Sequence, residues 1–223
     1  MYVIFDMDGV IVNSEIVYRA GHRYAAKVLG LSEEKIAEGS VRVAGVTQER
    51  EEQIWGEIFE ELPDFEPGEI IRLFRSYFVQ ELEAGRVELK PGAAQILRFL
   101  RERKIPVGLA SSTSGEQIRK VLGILGVLES FDVIVSGDMV TRGKPDPEIF
   151  LTCAGQMGIP EAMYSETYVI EDSYNGIRAA HAAGMRPIMV PDLLPPTEEM
   201  LALSEVVLPS LEELQKCLEQ RNN

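Results

Sequence analysis

Residues 1–15 read MYVIFDMDGVIVNSE, and this stretch decides the fold. Four residues that are typical of a buried strand, Tyr2–Phe5, lead directly into two carboxylates, Asp6 and Asp8, one residue apart. Two ionised carboxylates this close repel each other and are costly beside an apolar core. They are either solvated turn residues, since Asp and Gly favour turns, or acids that a cation neutralises and that take part in chemistry. The rest of the chain has to distinguish these two interpretations.

The composition and charge of the chain limit the class of protein to which it can belong and the partners that it can bind. Of the 223 residues, 45% are hydrophobic and 26% are charged, which is typical of a globular protein. The formal net charge is -14 and no cluster of Lys and Arg opposes it, so we expect neither nucleic acid nor a membrane as a partner. Cys153 and Cys217 lack metal-ligand spacing, and no apolar run approaches membrane-spanning length. We recognise no signal peptide and expect a cytoplasmic protein, a monomer or a weak dimer.

Short β-rich runs alternate with helical patterns along most of the chain. This alternation predicts an α/β fold with a Rossmann-like, doubly wound and mostly parallel sheet. The predicted strands are Tyr2–Phe5, Pro106–Ala110, Val133–Ser136, Tyr168–Ile170, Pro187–Val190 and Val206–Leu208. Residues 14–88 differ, because they contain only helical patterns. We therefore expect an inserted α-helical cap domain at 14–88 and an α/β core domain formed by residues 1–13 and 89–223.

Side chains that can take part in catalysis or ligand binding follow four of the predicted strands. In parallel sheets, ligands bind in the crevice beyond the carboxyl ends of the strands, so these side chains are expected to meet at one edge. In chain order, the four groups are Asp6 with Asp8, Ser111–Ser114, Lys144, and Glu171 with Asp172.

Each later group also has a simpler, structural interpretation. Ser114 with Gln117 matches a capping box, and Asp146 before Pro147 matches a helix N-cap. Lys144, taken alone, would be a solvated loop residue. Taken together, however, the four groups supply what phosphoryl transfer requires. Carboxylates can hold Mg²⁺, hydroxyls, helix-end amides and an ammonium can hold phosphate oxygens, and one acid can attack while a second transfers protons.

The motifs DMDGV, LASS, GKPDPEIF and VIEDSYNGIRAA, in this order, resemble the haloacid dehalogenase-like (HAD) superfamily. Within it, the chain is similar to the branch that contains β-phosphoglucomutase and small sugar-phosphate phosphatases. The resemblance extends from end to end and includes the helical insertion at the position of that branch's cap domain. It implies a Mg²⁺-dependent phosphatase that acts on a small phosphorylated metabolite, in particular a sugar phosphate, through an aspartyl-phosphate intermediate.

The resemblance also implies a role for each matched residue. Asp6 would be the nucleophile, and Asp8 would protonate the leaving oxygen and then activate water. Ser111 and Lys144 would complete the catalytic set. The implied phosphate-binding residues are Ser111, Ser112 and Lys144, and the implied Mg²⁺-binding residues are Asp6, Asp8 through its main-chain carbonyl, Asp172, and Glu171 at or near the metal. The second acid and the metal ligands favour phosphoryl transfer over dehalogenation.

The cap departs from the pattern of β-phosphoglucomutases. Tyr18 stands where those enzymes carry a histidine, and Ala44 and Gln48 stand where they carry a lysine and an arginine. Arg50 could substitute for the missing arginine. The apparent loss of cations for a second phosphate favours a phosphatase, with a phosphomutase as the alternative and a non-catalytic phospho-metabolite-binding module as a third interpretation. The candidates for substrate selection are Tyr18, His22, Gln48 and Arg50.

Overall fold

A six-stranded sheet lies at the centre of the computed structural model, which describes residues 1–43, 46 and 48–221. Its strands are β1 Tyr2–Phe5, β2 Val107–Ser111, β3 Val133–Ser136, β4 Thr167–Glu171, β5 Arg186–Met189 and β6 Val206–Val207. The order is β3-β2-β1-β4-β5-β6, and every neighbouring pair is parallel. The chain winds outward in both directions from β1, which confirms the predicted doubly wound α/β class.

Helices cover both faces of this sheet. Val3 and Phe5 of β1 face one apolar cluster, whereas Ile4 faces a second cluster on the opposite side. All three side chains are fully buried, as expected for a parallel strand between two helical layers. The helices are α1 Glu15–Leu29, α2 Glu33–Arg42, α3 Gln48–Ile58, α4 Pro67–Glu83, α5 Ala93–Glu102, α6 Gly115–Ile124, α7 Glu148–Gln156, α8 Tyr174–Ala182, α9 Glu198–Leu203 and α10 Leu214–Arg221.

The first four helices follow β1 before the chain returns to the sheet, and we call α1–α4 the cap and the remainder the core. The cap has its own apolar cluster, centred on the fully buried Trp55 and including Ile36 and Ile70. The helical content of this segment agrees with the sequence pattern. The division into two domains at 14 and 88 remains a prediction.

Two adjacent segments connect the core to the cap. The backbone N–H of Asn13 donates to the carbonyl of Glu88 at 2.9 Å, and that of Lys90 donates to the carbonyl of Ile11 at 2.9 Å. An antiparallel bridge between Val12 and Leu89 lies between these bonds. The outgoing and returning chains therefore form a short, paired ribbon.

Local details differ from the sequence predictions at the ends of several elements. β2 and β4 each extend one residue further than predicted, because Ser111 and Glu171 pair with Ser136 and Met189 in the neighbouring strands. Ser114 precedes α6 but makes no side-chain cap bond, and the carboxylate of Asp138 accepts from the N–H of Gly115. Asp146 does accept from the N–H of Glu148 at 3.0 Å, as expected for a residue that caps α7. No described helix combines the length and the apolar character that crossing a bilayer requires.

Candidate active site

A buried lysine joins the ends of two neighbouring strands. Lys144 is only 4% exposed, and its ammonium lies 2.6 Å from Asp6 Oδ1 beyond β1 and 2.5 Å from Glu171 Oε1 at the end of β4. The loop before α7 supplies this lysine, so three separate segments meet at one edge of the sheet. Charge-assisted hydrogen bonds with both partners fix Lys144 in place. Lys144 is therefore a buried, paired residue and not a solvated loop lysine.

Glu171 has both of its carboxylate oxygens engaged. While Oε1 accepts from Lys144, Oε2 accepts from the N–H and the hydroxyl of Ser173, both at 2.9 Å, and from the N–H of Asp172 at 3.0 Å. Gly176 permits this packing, because a Cβ at that position would collide with the Glu171 carboxylate. The side chain is fully buried and links Lys144 to the first turn of α8.

If all four carboxylates at this edge were ionised (Asp6, Asp8, Glu171 and Asp172), they would carry more negative charge than Lys144 balances. Burial raises the pKa of Asp6 to about 8; Lys144 opposes this effect, while Glu171 and Asp8 add to it. Burial also raises the pKa of Asp172 well above its usual value, and the charges of Glu171 and Asp6 add to the rise. Burial disfavours the ammonium of Lys144, but the two carboxylates beside it outweigh that effect and raise its pKa above the ordinary value. Of these four acids, Asp6 and Glu171 contact the ammonium of Lys144, whereas Asp8 and Asp172 do not.

This donor set fits a hard divalent cation such as Mg²⁺. The carboxylate of Asp172 has no hydrogen-bond or ion-pair partner among the described residues, whereas its charge faces Asp6. Gly9, at φ 75°, lets the first loop lie against Asp172, and a Cβ there would collide with the carboxylate. In the described part of the chain no three His, Cys, Asp or Glu side chains converge as metal ligands. Asp6 and Asp172 would therefore need main-chain or water oxygens to complete a coordination shell.

Asp8 has a different environment from Asp6. Tyr18 donates its hydroxyl to Asp8 Oδ1 at 2.7 Å, and Thr113 donates its hydroxyl to Oδ2 at 2.8 Å. The ring of Tyr18 packs against Phe74 and Phe78, with centroid distances of 4.9 and 5.1 Å. Two acids separated by one residue thus receive different partners, an ammonium for one and two hydroxyls for the other, which suits them to different tasks.

A run of hydroxyls connects β2 to α6. Ser111 is 1% exposed and accepts from the N–H of Thr113 at 3.2 Å, which curls the loop back on itself. Ser112 and Ser114 belong to the same loop, which ends at the N-terminus of α6. Hydroxyls and helix N-terminal amides are both suited to an anion.

A cavity of about 740 Å³ lies between the cap and the core and brings most of the predicted site residues together. From the core it is lined by Asp6, Asp8, Ser111, Ser112, Lys144 and Asp172, and from the cap by Tyr18, His22 and Gln48. Two predicted residues are elsewhere: Glu171 is buried behind Lys144, and Arg50 is exposed and pairs with Glu57 at 3.0 Å. Ala44 lies outside the described residues.

Sequence reasoning missed several residues of this cavity. Thr113, which holds Asp8, lies in the predicted hydroxyl run, but only Ser111 and Ser112 of that run were assigned a role. Arg75 of α4 lines the cap wall and donates to Gln48 Oε1 at 3.0 Å. Ser40 of α2 also lines the wall and contacts His22. Arg75 and Ser40 give no local sequence signal, because only helix packing brings them to the cavity.

A profile of haloacid dehalogenase-like hydrolases matches residues 1–184. The chain belongs to this family. The hydrolase prediction is thereby confirmed, and so is the resemblance that the four strand-end motifs indicated.

Relatives of this HAD-like hydrolase include phosphatases. It is 33% identical over 190 residues to the phosphorylated carbohydrates phosphatase of Thermotoga maritima, covering 83% of this chain and 82% of that one. It is 29% identical over 213 residues to hexitol phosphatase B of Escherichia coli K12, covering 95% and 92% of the two chains. A crystal structure of β-phosphoglucomutase from Clostridium difficile matches with a TM-score of 0.80 at 23% identity, over 99% of this chain and 96% of that one, and shows the shared fold.

Proposed function

We propose that this HAD-like hydrolase is a Mg²⁺-dependent phosphatase of small phosphorylated metabolites, sugar phosphates in particular. The observation that carries the proposal is the contrast between Asp6, paired with the buried Lys144, and Asp8, held by two hydroxyls at the same cavity. The names of the phosphatase relatives, which denote phosphorylated carbohydrates and hexitols, support the substrate class.

Asp6 is the proposed nucleophile. Lys144 contacts Oδ1, which leaves Oδ2 to attack the phosphorus of the bound ester. The new bond joins Asp6 to phosphorus, and the bond between phosphorus and the substrate oxygen breaks. The ammonium of Lys144 and the hydroxyl of Ser111 reduce the charge that develops on the phosphoryl oxygens.

Asp8 is the proposed acid and base. It donates a proton to the leaving oxygen, and the alcohol product departs. The resulting carboxylate then takes a proton from a water that attacks the phosphorus, which releases inorganic phosphate and restores Asp6. The hydroxyls of Tyr18 and Thr113 hold the Asp8 carboxylate in one orientation for both steps.

A bound Mg²⁺ would supply charge neutralisation, so that an anionic phosphate can approach Asp6. The carboxylates of Asp6 and Asp172 with the main-chain carbonyl of Asp8 are the proposed ligands. Glu171 orients Lys144 instead, since both its oxygens are engaged. The cap covers the cavity and excludes bulk water while the phosphoryl group is transferred.

A phosphomutase is the second candidate, and Arg75 favours it. This guanidinium lines the cap wall of the cavity and could hold a second phosphate. Arg75 also donates to Gln48, and its positive charge interacts with the carboxylate of Glu51. Both contacts weaken the case that Arg75 holds a second phosphate.

The test is release of inorganic phosphate from a panel of sugar and polyol phosphates, with Mg²⁺ and with chelator. We expect Mg²⁺-dependent release that is lost in Asp6→Asn. An isomerised sugar phosphate without free phosphate would support the phosphomutase instead. Neither product from any substrate would support the non-catalytic module.

A further inference from the structure

His22 of α1 is held rigidly in the cap wall of the cavity. The side chain is 4% exposed, its ring stacks on Phe74 at a centroid distance of 4.7 Å, and it meets Trp55 edge-on at 5.3 Å. Aromatic neighbours on two sides leave the ring little freedom to turn. The orientation of the two ring nitrogens is therefore fixed before a ligand binds.

The contacts of Ser40 point to Nδ1 as the ring nitrogen that carries the proton. Ser40 Oγ lies 3.0 Å from His22 Nδ1 and donates to the carbonyl of Ile36 at 2.8 Å. A serine hydroxyl has one proton, and we assign it to the helix carbonyl of Ile36. The Ser40 oxygen can then only accept, so Nδ1 is the protonated nitrogen and Nε2 offers a lone pair. Burial lowers the pKa of His22 to about 4, so the ring is neutral at pH 7.

The Nε2 atom is buried and has no hydrogen-bond partner among the described residues. An unpaired buried acceptor costs the free energy of its lost hydration. His22 also lines the cavity, and a role in binding requires that a hydroxyl of a bound molecule reach this buried nitrogen. The partner has to be an O–H or an N–H, because a carboxylate or a phosphate dianion presents only lone pairs.

The distance from the core agrees with a contact at the far end of a substrate. Tyr18, one turn earlier in α1, reaches Asp8, whereas the contacts of His22 with described residues are to Ser40, Trp55 and Phe74 of the cap. Four residues of helix place His22 about 6 Å further along the axis. A phosphate at Asp6 would leave the opposite end of a sugar or polyol chain free to extend toward the cap wall that contains His22.

We propose that His22 Nε2 accepts a hydrogen bond from a hydroxyl at the non-phosphorylated end of the substrate and so selects neutral phosphorylated polyols and sugars against analogues with an anionic end. This inference rests on the proposed phosphatase function. It makes His22 a specificity-determining residue for that reaction.

A matched pair of substrates tests the selection. Sorbitol 6-phosphate and 6-phosphogluconate have the same carbon chain, but the end opposite the phosphate is a hydroxymethyl group in one and a carboxylate in the other. We expect kcat/KM to favour sorbitol 6-phosphate by about 100-fold. In His22→Phe, which keeps an aromatic ring without an acceptor, the ratio should fall below about tenfold, chiefly through slower turnover of the polyol. The control is His181→Gln, at an exposed position on α8, and should keep the original ratio.

An equal kcat/KM for the two substrates in the unchanged protein would overturn the inference while leaving the phosphatase intact. Failure to hydrolyse any member of the wider panel would instead remove the proposed function. If His22→Phe does not fold, Ser40→Ala replaces it. Without Ser40 the ring proton is no longer fixed on Nδ1, and the selectivity should fall; an unchanged ratio would contradict the proposal.

Nitrogen NMR of the two histidines gives a readout that does not depend on turnover. His181→Gln identifies the signals of His22, since the chain has only two histidines. We expect the proton of His22 on Nδ1, and a change at Nε2 when sorbitol 6-phosphate and Mg²⁺ are added to Asp6→Asn. The same change with 6-phosphogluconate, no change with either compound, or a proton on Nε2 in the free protein would each overturn the inference.

Discussion

Tyr18 in the cap donates its hydroxyl to Asp8 in the core at 2.7 Å, and Thr113 donates to the opposite oxygen of the same carboxylate from the core. Burial and the nearby charge of Asp8 raise the pKa of Tyr18 well above its usual value, so the phenol keeps its proton. The hydrogen bond exists only when the cap lies close to the core. The orientation of the proposed acid and base therefore depends on the position of the cap.

Substituting Tyr18→Phe should slow catalysis with little effect on substrate binding. The ring keeps its packing against Phe74 and Phe78, but Asp8 loses one of its two donors. We expect kcat to fall about tenfold, as for the loss of a hydrogen bond to a charged group, with KM nearly unchanged. Steady-state kinetics with Mg²⁺ measure both. Tyr24→Phe, an exposed tyrosine on the same helix, is the control, and equal kcat values for the two variants would contradict the role of Tyr18.

Removing the buried lysine should destabilise the protein as well as inactivate it. In Lys144→Met, the carboxylates of Asp6 and Glu171 would face each other without a cation, at a cost of about 3–5 kcal/mol in the free energy of unfolding. Urea denaturation measures this cost. Adding Glu171→Gln to the variant should recover part of it, and no recovery would argue that lost packing dominates.

The matched control is an exposed lysine. Lys120 pairs with Glu83 at 2.8 Å, but the two side chains are 41% and 59% exposed. We expect Lys120→Met to change the free energy of unfolding by less than about 1 kcal/mol, because water screens such a pair.

Magnesium should raise the thermal stability of the folded chain, because a ligand that binds only the native state shifts the folding equilibrium. At a concentration 100-fold above its Kd, the gain is about 2.7 kcal/mol. Differential scanning fluorimetry with Mg²⁺ and with chelator should show a higher Tm with the metal. In Asp172→Asn the difference should shrink, whereas in Asp64→Asn, at an exposed cap position, it should persist. A Tm that does not respond to Mg²⁺ would count against the proposed ligands.

The buried His22 should make stability depend on pH. Its pKa is about 4 when folded and 6.5 when exposed, so the unfolded chain binds the proton first as pH falls. The contribution of His22 to the free energy of unfolding is fully present above pH 6.5 and decreases as the pH falls toward 4. At pH 5 about 2 kcal/mol of it is lost. Urea unfolding at pH 7 and pH 5 should give a smaller loss for His22→Phe than for the unchanged protein. Parallel losses would show that other groups cause the acid sensitivity.

The sequence was sufficient for the sheet and for the residues at its carboxyl edge. Asp6, Lys144 and Asp172 follow strands whose hydrophobic runs are unambiguous, and Ser111 ends one. Parallel pairing brings such positions together. The displaced ends of β2 and β4 arise because strand pairing, not hydrophobicity, decides where a strand stops.

The cap wall was harder to predict, since its polar residues come from separate helices. The contact between Ser40 and His22, and that between Arg75 and Gln48, depend on how α1, α2, α3 and α4 pack. Helical periodicity identifies which faces are buried, but it does not indicate which residues of two helices touch.

The paired segments between core and cap have a consequence for how such enzymes diversify. The chain leaves the core beside the point at which it returns. Backbone hydrogen bonds between Asn13 and Glu88 and between Lys90 and Ile11 join the outgoing and returning segments there. The sheet does not need the intervening helices to complete its strand order. The cap helices could therefore vary in sequence and length without changing the strand order, provided that a donor equivalent to Tyr18 still reaches Asp8.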